Sequence, residues 1–253
     1  MRRILGLSMI GAAMLFATSG AQAGLRAIYL DVKQSKQLQI DVYDNGDARI
    51  SEVGVNDYGL LLGGDFYIVD IEDGQATVAR LKDVAAAIDQ VLPPIFKGLF
   101  DQATEAMPKA PLMIEPGETG EAGGRTGRVY HVRGLASSDP ENVSDYLINQ
   151  DADLKPVGAA LEAFMNAALV PAAPLIGQSA TALIAETRTI FALGTPIDVR
   201  GQFRLNLAGK AAFPAAYFRL PAKPQTMASL VASMKQSMEH AAEAQKQQEA
   251  PAK

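Results

Sequence analysis

Polar and apolar residues alternate over short distances through the first part of the chain. Residues 25–32, 38–43, 48–53, 58–62, 66–71 and 76–81 are runs rich in β-branched and aromatic side chains. They are separated by Asn45-Gly46, Gly63-Gly64 and Asp73-Gly74. Period-two runs bounded by such turn residues predict an antiparallel meander. The period then lengthens. Val84, Ala87, Ile88, Val91, Leu92, Ile95, Phe96, Leu99 and Phe100 recur at helical spacing, with Asp83 placed as an N-cap and Pro93-Pro94 forcing a kink or a split.

Strands resume at 112–115 and 128–133, expected to pair across a mobile Gly-rich loop at 117–127, and again at 144–149. A second helix is expected within 151–169, carrying Leu154, Val157, Leu161, Phe164, Met165 and Leu169 on one side. Residues 171–192 hold only two charges, Glu186 and Arg188, and suggest part helix and part apolar loop. Strands at 196–207 and 215–220 close the sheet. A last helix follows Pro224 with Met227, Leu230, Val231, Met234 and Met238, and its polar tail is expected to fray. The succession of strands and helices predicts an α+β fold with one predominantly antiparallel sheet and helices against one face.

The stretch DVYDNGDARISE, 41–52, tests that reading. It approaches the calcium-loop pattern, with Asp first, Asn-Gly in the middle and Glu last. Its third ligand position is Tyr43, whose neutral phenol is a poor ligand for a hard cation, and its flanks alternate as strands rather than helices. A three-residue loop, Asp44-Asn45-Gly46, pairs Val42 with Ala48 and Ile40 with Ile50 and keeps one face apolar; a two-residue turn would mix the faces.

The N-terminus adds a compartment. Arg2 and Arg3 precede an apolar run at 4–17, and Ala21-Gln22-Ala23 forms a small-x-small site, so residues 1–23 are expected to be a secretory signal peptide. Its removal takes two of the 23 basic residues and none of the 28 acidic ones, moving the net charge from −5 to −7. That balance disfavours nucleic acid and anionic membrane surfaces, which call for a basic patch. There are no cysteines, hence no disulfide, thiolate metal site, thiol nucleophile or lipid-modified cysteine. The expected location is the periplasm, with no transmembrane segment after cleavage.

Candidate chemistry is sparse. The acidic turn at 70–74 has the residues of a hairpin end. The segment 117–127 joins two strands and contains Glu118 and Glu121, unlike a phosphate-cradling loop before a helix. The two histidines, His131 and His240, belong to no metal-ligand spacing, and no G-x-S-x-G serine accompanies them. No catalytic, cofactor-binding or metal residue is therefore assigned. Arg125, Arg128, Arg133, Arg200, Arg204 and Arg219 gather on the late strands, either as a receptor for an anionic head group or partner or as solvated strand faces. The low-charge segment and the methionine stripe suit either core packing or the wall of a greasy groove, for which methionine's flexibility is apt. The groove candidates are Leu175, Ile176, Leu183, Ile184, Ile190, Phe191, Met227 and Met234.

The phrases GDFYIVDIEDGQATVARL, GETGEAGGRTGRVYHVRG, DYLINQDADLKPVGAALEAF, PIDVRGQFRLNL and AAYFRLPAKP, in that order, resemble the half-barrel periplasmic proteins of the lipoprotein-carrier type and a related exported bacterial domain family. The resemblance implies a strongly curved antiparallel sheet, an open half-barrel, whose concave face is covered by helices over an apolar cavity that in the carriers holds acyl chains. It places one domain at 24–224 and a C-terminal helix and tail at 225–253. The expected function is a non-enzymatic binding or carrier protein for a lipid, acyl chain or lipidated protein. Two alternatives stay open: an envelope structural or protein-interaction module with a filled core, and a hydrolase or metal enzyme using His131.

Overall fold

The computed structural model describes residues 22–93, 111–135, 142–171 and 178–249. Within them the chain forms eleven strands: β1 (Gln22–Asp31), β2 (Lys36–Tyr43), β3 (Ala48–Glu52), β4 (Tyr58–Leu62), β5 (Asp65–Glu72), β6 (Gln75–Arg80), β7 (Met113–Ala122), β8 (Arg125–Arg133), β9 (Ser144–Asn149), β10 (Thr195–Val199) and β11 (Phe203–Phe213). The helices are α1 (Leu81–Val91), α2 (Lys155–Leu169), α3 (Gln178–Phe191) and α4 (Met227–Glu249). Residues 1–21, including most of the expected signal peptide, lie outside the described residues, and β1 takes in Gln22 and Ala23.

All strands join one antiparallel sheet in the order β6-β5-β4-β3-β2-β1-β11-β10-β9-β8-β7, and the sheet is not closed. The chain is thus α+β, as the alternation predicts. The β2–β3 register pairs Val42 with Ala48 and Ile40 with Ile50, and Gly46 sits at φ 89°. Tyr43 donates its N–H to the Asp47 carbonyl at 2.8 Å, closing the corner around Asp44-Asn45-Gly46.

Two apolar rows follow from these registers. Leu25, Val42, Ala48, Leu61 and Phe66 align across β1 to β5, and Ala208, Ala27, Ile40 and Ile50 align beside them. Both rows belong to the main core, where α2 adds Val157, Ala160 and Leu161, with Leu154 just before it. The intervening row points to the other face. It runs Arg26, Asp41, Arg49, Leu60, Tyr67, Arg80. There Leu60, Val69 and Val78 form a second core, packed by Leu220 and Ala222.

Four local expectations change. Residues 117–127 are not a loop: β7 and β8 run through them to a two-residue turn at Gly123-Gly124, both with positive φ, as a type I′ hairpin requires. Residues 196–207 are two strands rather than one, because Arg200 (φ 57°) and Gly201 (φ 64°) turn the chain within a three-residue connection, closed by Gln202 N–H to the Val199 carbonyl at 3.0 Å. Residues 215–220 form no strand. The Tyr217 and Arg219 amides bond back to the Pro214 and Ala216 carbonyls, folding the segment into turns over the sheet. Helix α1 begins at Leu81, directly after β6, so Asp83 lies in its first turn instead of capping it; a carboxylate there still favours the free N–H groups. The helical positions Ile95 to Phe100 lie outside the described residues, and α4 stays helical to Glu249, into the tail expected to fray.

Candidate functional site

Helices α2 and α3 lie side by side, and between them and strands β9, β10 and β11 is a cavity of about 480 Å³. Phe164, Met165, Ala168 and Leu169 of α2 form one wall, and Leu183, Thr187, Ile190 and Phe191 of α3 form another. Tyr146, Pro196, Val199 and Phe203 form the floor. The Thr187 hydroxyl donates to the Leu183 carbonyl at 2.8 Å and is already satisfied. The charged groups in the lining are Glu186 and Arg200.

The floor is fixed from beneath. Tyr29 is fully buried, stacks on Phe203 with ring centres 4.8 Å apart, and donates its hydroxyl to the Pro196 carbonyl at 2.8 Å. Burial pushes the Tyr29 phenol well above its usual range, so it stays a neutral donor. The wall is set by a close approach. A Cβ on Gly158 of α2 would stand 2.5 Å from Thr195 Oγ1, whose hydroxyl donates to the Leu154 carbonyl at 3.0 Å. Glycine there lets α2 lie directly against β10.

Of the groove residues named from sequence, Leu183, Ile190 and Phe191 line this cavity together. Ile184 faces a separate hollow of about 340 Å³ with Leu61, Phe66 and Val170. Leu175 and Ile176 lie outside the described residues. Met227 and Met234 sit on α4, which packs against α1, and are not among the lining residues. The contributions of Tyr146, Pro196 and Phe203 were not anticipated. Their signal was present only in the turn at Arg200-Gly201, which folds β11 back beside β10. A larger hollow, about 690 Å³, lies near the β2–β3 corner; Leu25, Val42, Tyr43, Pro156 and Ala159 line it together with the charged residues Asp44, Arg125, Asp153, Lys155 and Lys210.

The arginines separate. Arg125 pairs with Asp153 at 2.8 Å, and Arg204 donates to the Glu121 carbonyl at 2.7 Å. Arg128, Arg133 and Arg219 are exposed. Arg200 lines the cavity; its Nε is out of reach of water and has no hydrogen-bond partner among the described residues.

Two polar groupings lie elsewhere. On the other sheet face Asp41 is fully buried and accepts from Arg26 Nε at 2.7 Å, Gln39 Nε2 at 2.7 Å and the Tyr217 hydroxyl at 2.5 Å. Burial, and then the bond to Asp41, raise the Tyr217 phenol, while that carboxylate raises the Arg26 guanidinium. Arg49 completes the cluster by stacking between Tyr58 and Tyr217, 3.5 and 4.6 Å from their ring centres. With both carboxylate oxygens of Asp41 accepting hydrogen bonds inside the fold, the cluster ties residues 214–222 to the sheet. His131 Nδ1 lies 2.7 Å from Asp145 Oδ1, a directly opposed pair on β8 and β9 with both side chains substantially exposed. Among the described residues no group of three or more His, Asp or Glu side chains is placed to hold a metal ion.

Compared with known proteins, the chain matches no family model, no curated protein and no solved structure. Among the described residues no helix is long and apolar enough to cross a membrane.

Proposed function

We propose that this protein is an exported, non-catalytic binding or carrier module for a hydrophobic ligand (a lipid, an acyl chain or the lipid of a modified protein), acting in the periplasm after cleavage at residue 23. The observation that carries the reading is the apolar cavity between α2, α3 and β9 to β11. Its volume falls within the range of small-ligand sites, roughly 300–1,000 Å³. Burying about ten methylenes at roughly 0.8 kcal/mol each supplies about 8 kcal/mol before ordering is counted. Micromolar affinity corresponds to about that much.

The sheet is read as a half-barrel wrapped around α2. That helix touches β1, β2, β4, β5 and β10. Flat strands spaced about 4.8 Å apart would put β5 and β10, six positions apart, about 29 Å from each other. A 15-residue helix is only about 22 Å long. Curling of the sheet reconciles the two, and the β7–β8 tip reaching Leu205 of β11 from the far edge supports the same shape.

Extraction of the natively purified protein with organic solvent, followed by mass spectrometry, tests the function. Recovery of lipid or fatty acid in near-stoichiometric amount is expected. A lipid-free protein that also takes up no fluorescent fatty acid would refute it. The interaction-module reading draws on Met227 and Met238 of α4, both partly exposed. It predicts instead a protein partner lost on truncating α4.

A further inference from the structure

Arg200 occupies the first central position of the β10–β11 turn at φ 57°, where glycine, asparagine or aspartate is the comfortable choice. Turn chemistry therefore does not account for an arginine there. Nor does pairing: among the described residues no carboxylate stands within ion-pair distance of its guanidinium. Its contacts are the Tyr146 ring, 6.0 Å away, and a backbone bond from its N–H to the Asp145 carbonyl. An unpaired cation at the edge of an apolar cavity, with its Nε already dehydrated, has the layout of a head-group receptor.

We propose that Arg200 receives the carboxylate of a single-chain amphiphile whose tail lies between α2 and α3, so that the ligand class is the fatty acids. This deepens the reading of the cavity as a lipid site and rests on it. The chemistry favours a monoanion. A guanidinium presents a planar fork that matches a carboxylate with two parallel hydrogen bonds. Among the described residues the cavity lining supplies no second cation for a phosphate dianion.

The test is calorimetric titration of the protein, Arg200→Gln and Arg200→Lys with dodecanoate, dodecanol and dodecyltrimethylammonium at pH 8, with a thermal melt of each variant. Dodecanoate should bind the protein more tightly than dodecanol by about tenfold or more, the effect of hydrogen bonds to a charged group. Arg200→Gln should erase that preference while leaving dodecanol affinity within about twofold, and Arg200→Lys should restore part of it. Equal affinity for acid and alcohol would overturn the assignment while leaving a hydrophobic site. Parallel loss of both ligands in Arg200→Gln would make Arg200 structural and overturn it too. Strongest binding of the ammonium would overturn the assignment as well. Failure of all three amphiphiles to bind would remove the lipid-site reading itself.

Discussion

The Tyr217 hydroxyl donates a 2.5 Å hydrogen bond to Asp41 Oδ2, joining residues 176 apart in the chain. This contact fastens the turns at 214–222 to the face of the sheet opposite α2. Asp41 is the first residue of the stretch that resembles a calcium loop, and its carboxylate is committed to Arg26, Gln39 and Tyr217.

Removing either partner should therefore be felt globally. Tyr217→Phe is expected to lose about 1.5–3 kcal/mol, the range for a hydrogen bond to a charged group. Asp41→Ala, which removes the shared acceptor of Arg26, Gln39 and Tyr217 but leaves the Arg26 guanidinium open to water, is expected to lose about 2–3 kcal/mol. In urea denaturation of the two variants and the double variant, the double should be less destabilised than the sum, with a coupling of about 1 kcal/mol or more. Simple additivity would mean that the two groups act independently.

Alkaline pH should weaken the fold. Tyr29 and Tyr217 both have phenols raised above the ordinary value of 10.0 by burial. Above pH 10 the unfolded chain releases these protons while the folded one keeps them. The folded state then binds more protons, and unfolding free energy falls as pH rises. Below pH 10 their contribution is fully present. The decline is expected to approach about 1.4 kcal/mol per pH unit for Tyr29. Denaturation midpoints between pH 9 and 11 should fall less steeply in Tyr29→Phe than in the parent; identical slopes would contradict the assignment.

Gly158→Ala reverses the usual helix rule. Alanine in a helix interior is favoured over glycine by about 1 kcal/mol. Here the new methyl would meet Thr195 Oγ1 at 2.5 Å and the Thr195 backbone at 3.3 Å. Overpacking of this kind costs about 1–3 kcal/mol, so the variant should melt lower. A higher melting temperature would show that α2 can lift from β10 without penalty.

Much of the sheet was legible because its first half is built from local pairings. The apolar alternation of Ile40, Val42, Ala48 and Ile50 admits one corner that keeps a face apolar, and the β2–β3 register follows it. The later strands were harder. Gly123-Gly124 and Arg200-Gly201 are both left-handed turn pairs, but the glycines around the first suggested a loop, and the arginine in the second obscured a turn that prefers glycine or asparagine. The cavity was half legible. Leu183, Ile190 and Phe191 share a low-charge segment, whereas Tyr146, Pro196 and Phe203 reach it through tertiary folding of β9 to β11, signalled locally only by the Arg200-Gly201 turn. Met227 and Met234 show the converse, an apolar stripe on a helix that packs against α1 and does not line the cavity.

Filling the cavity should separate binding from stability. Ala168 is an exposed residue on its rim, so Ala168→Trp should leave the melting temperature close to that of the parent, as surface substitutions within about 0.5 kcal/mol do. Its bulk should lower fatty-acid uptake by about tenfold or more, corresponding to about 1.4 kcal/mol. Unchanged uptake, read by fluorescent fatty-acid titration, would place the ligand elsewhere.

The most direct measurement is photo-crosslinking with a fatty acid carrying a diazirine near its tail, followed by peptide mapping. The account predicts saturable labelling, competed by unlabelled fatty acid, confined to peptides of α2, α3 and β9 to β11, with Phe164, Leu183 and Phe203 at or near the modified sites. Labelling that is absent, that does not saturate, or that falls on β4 to β6 and residues 214–222 would contradict it.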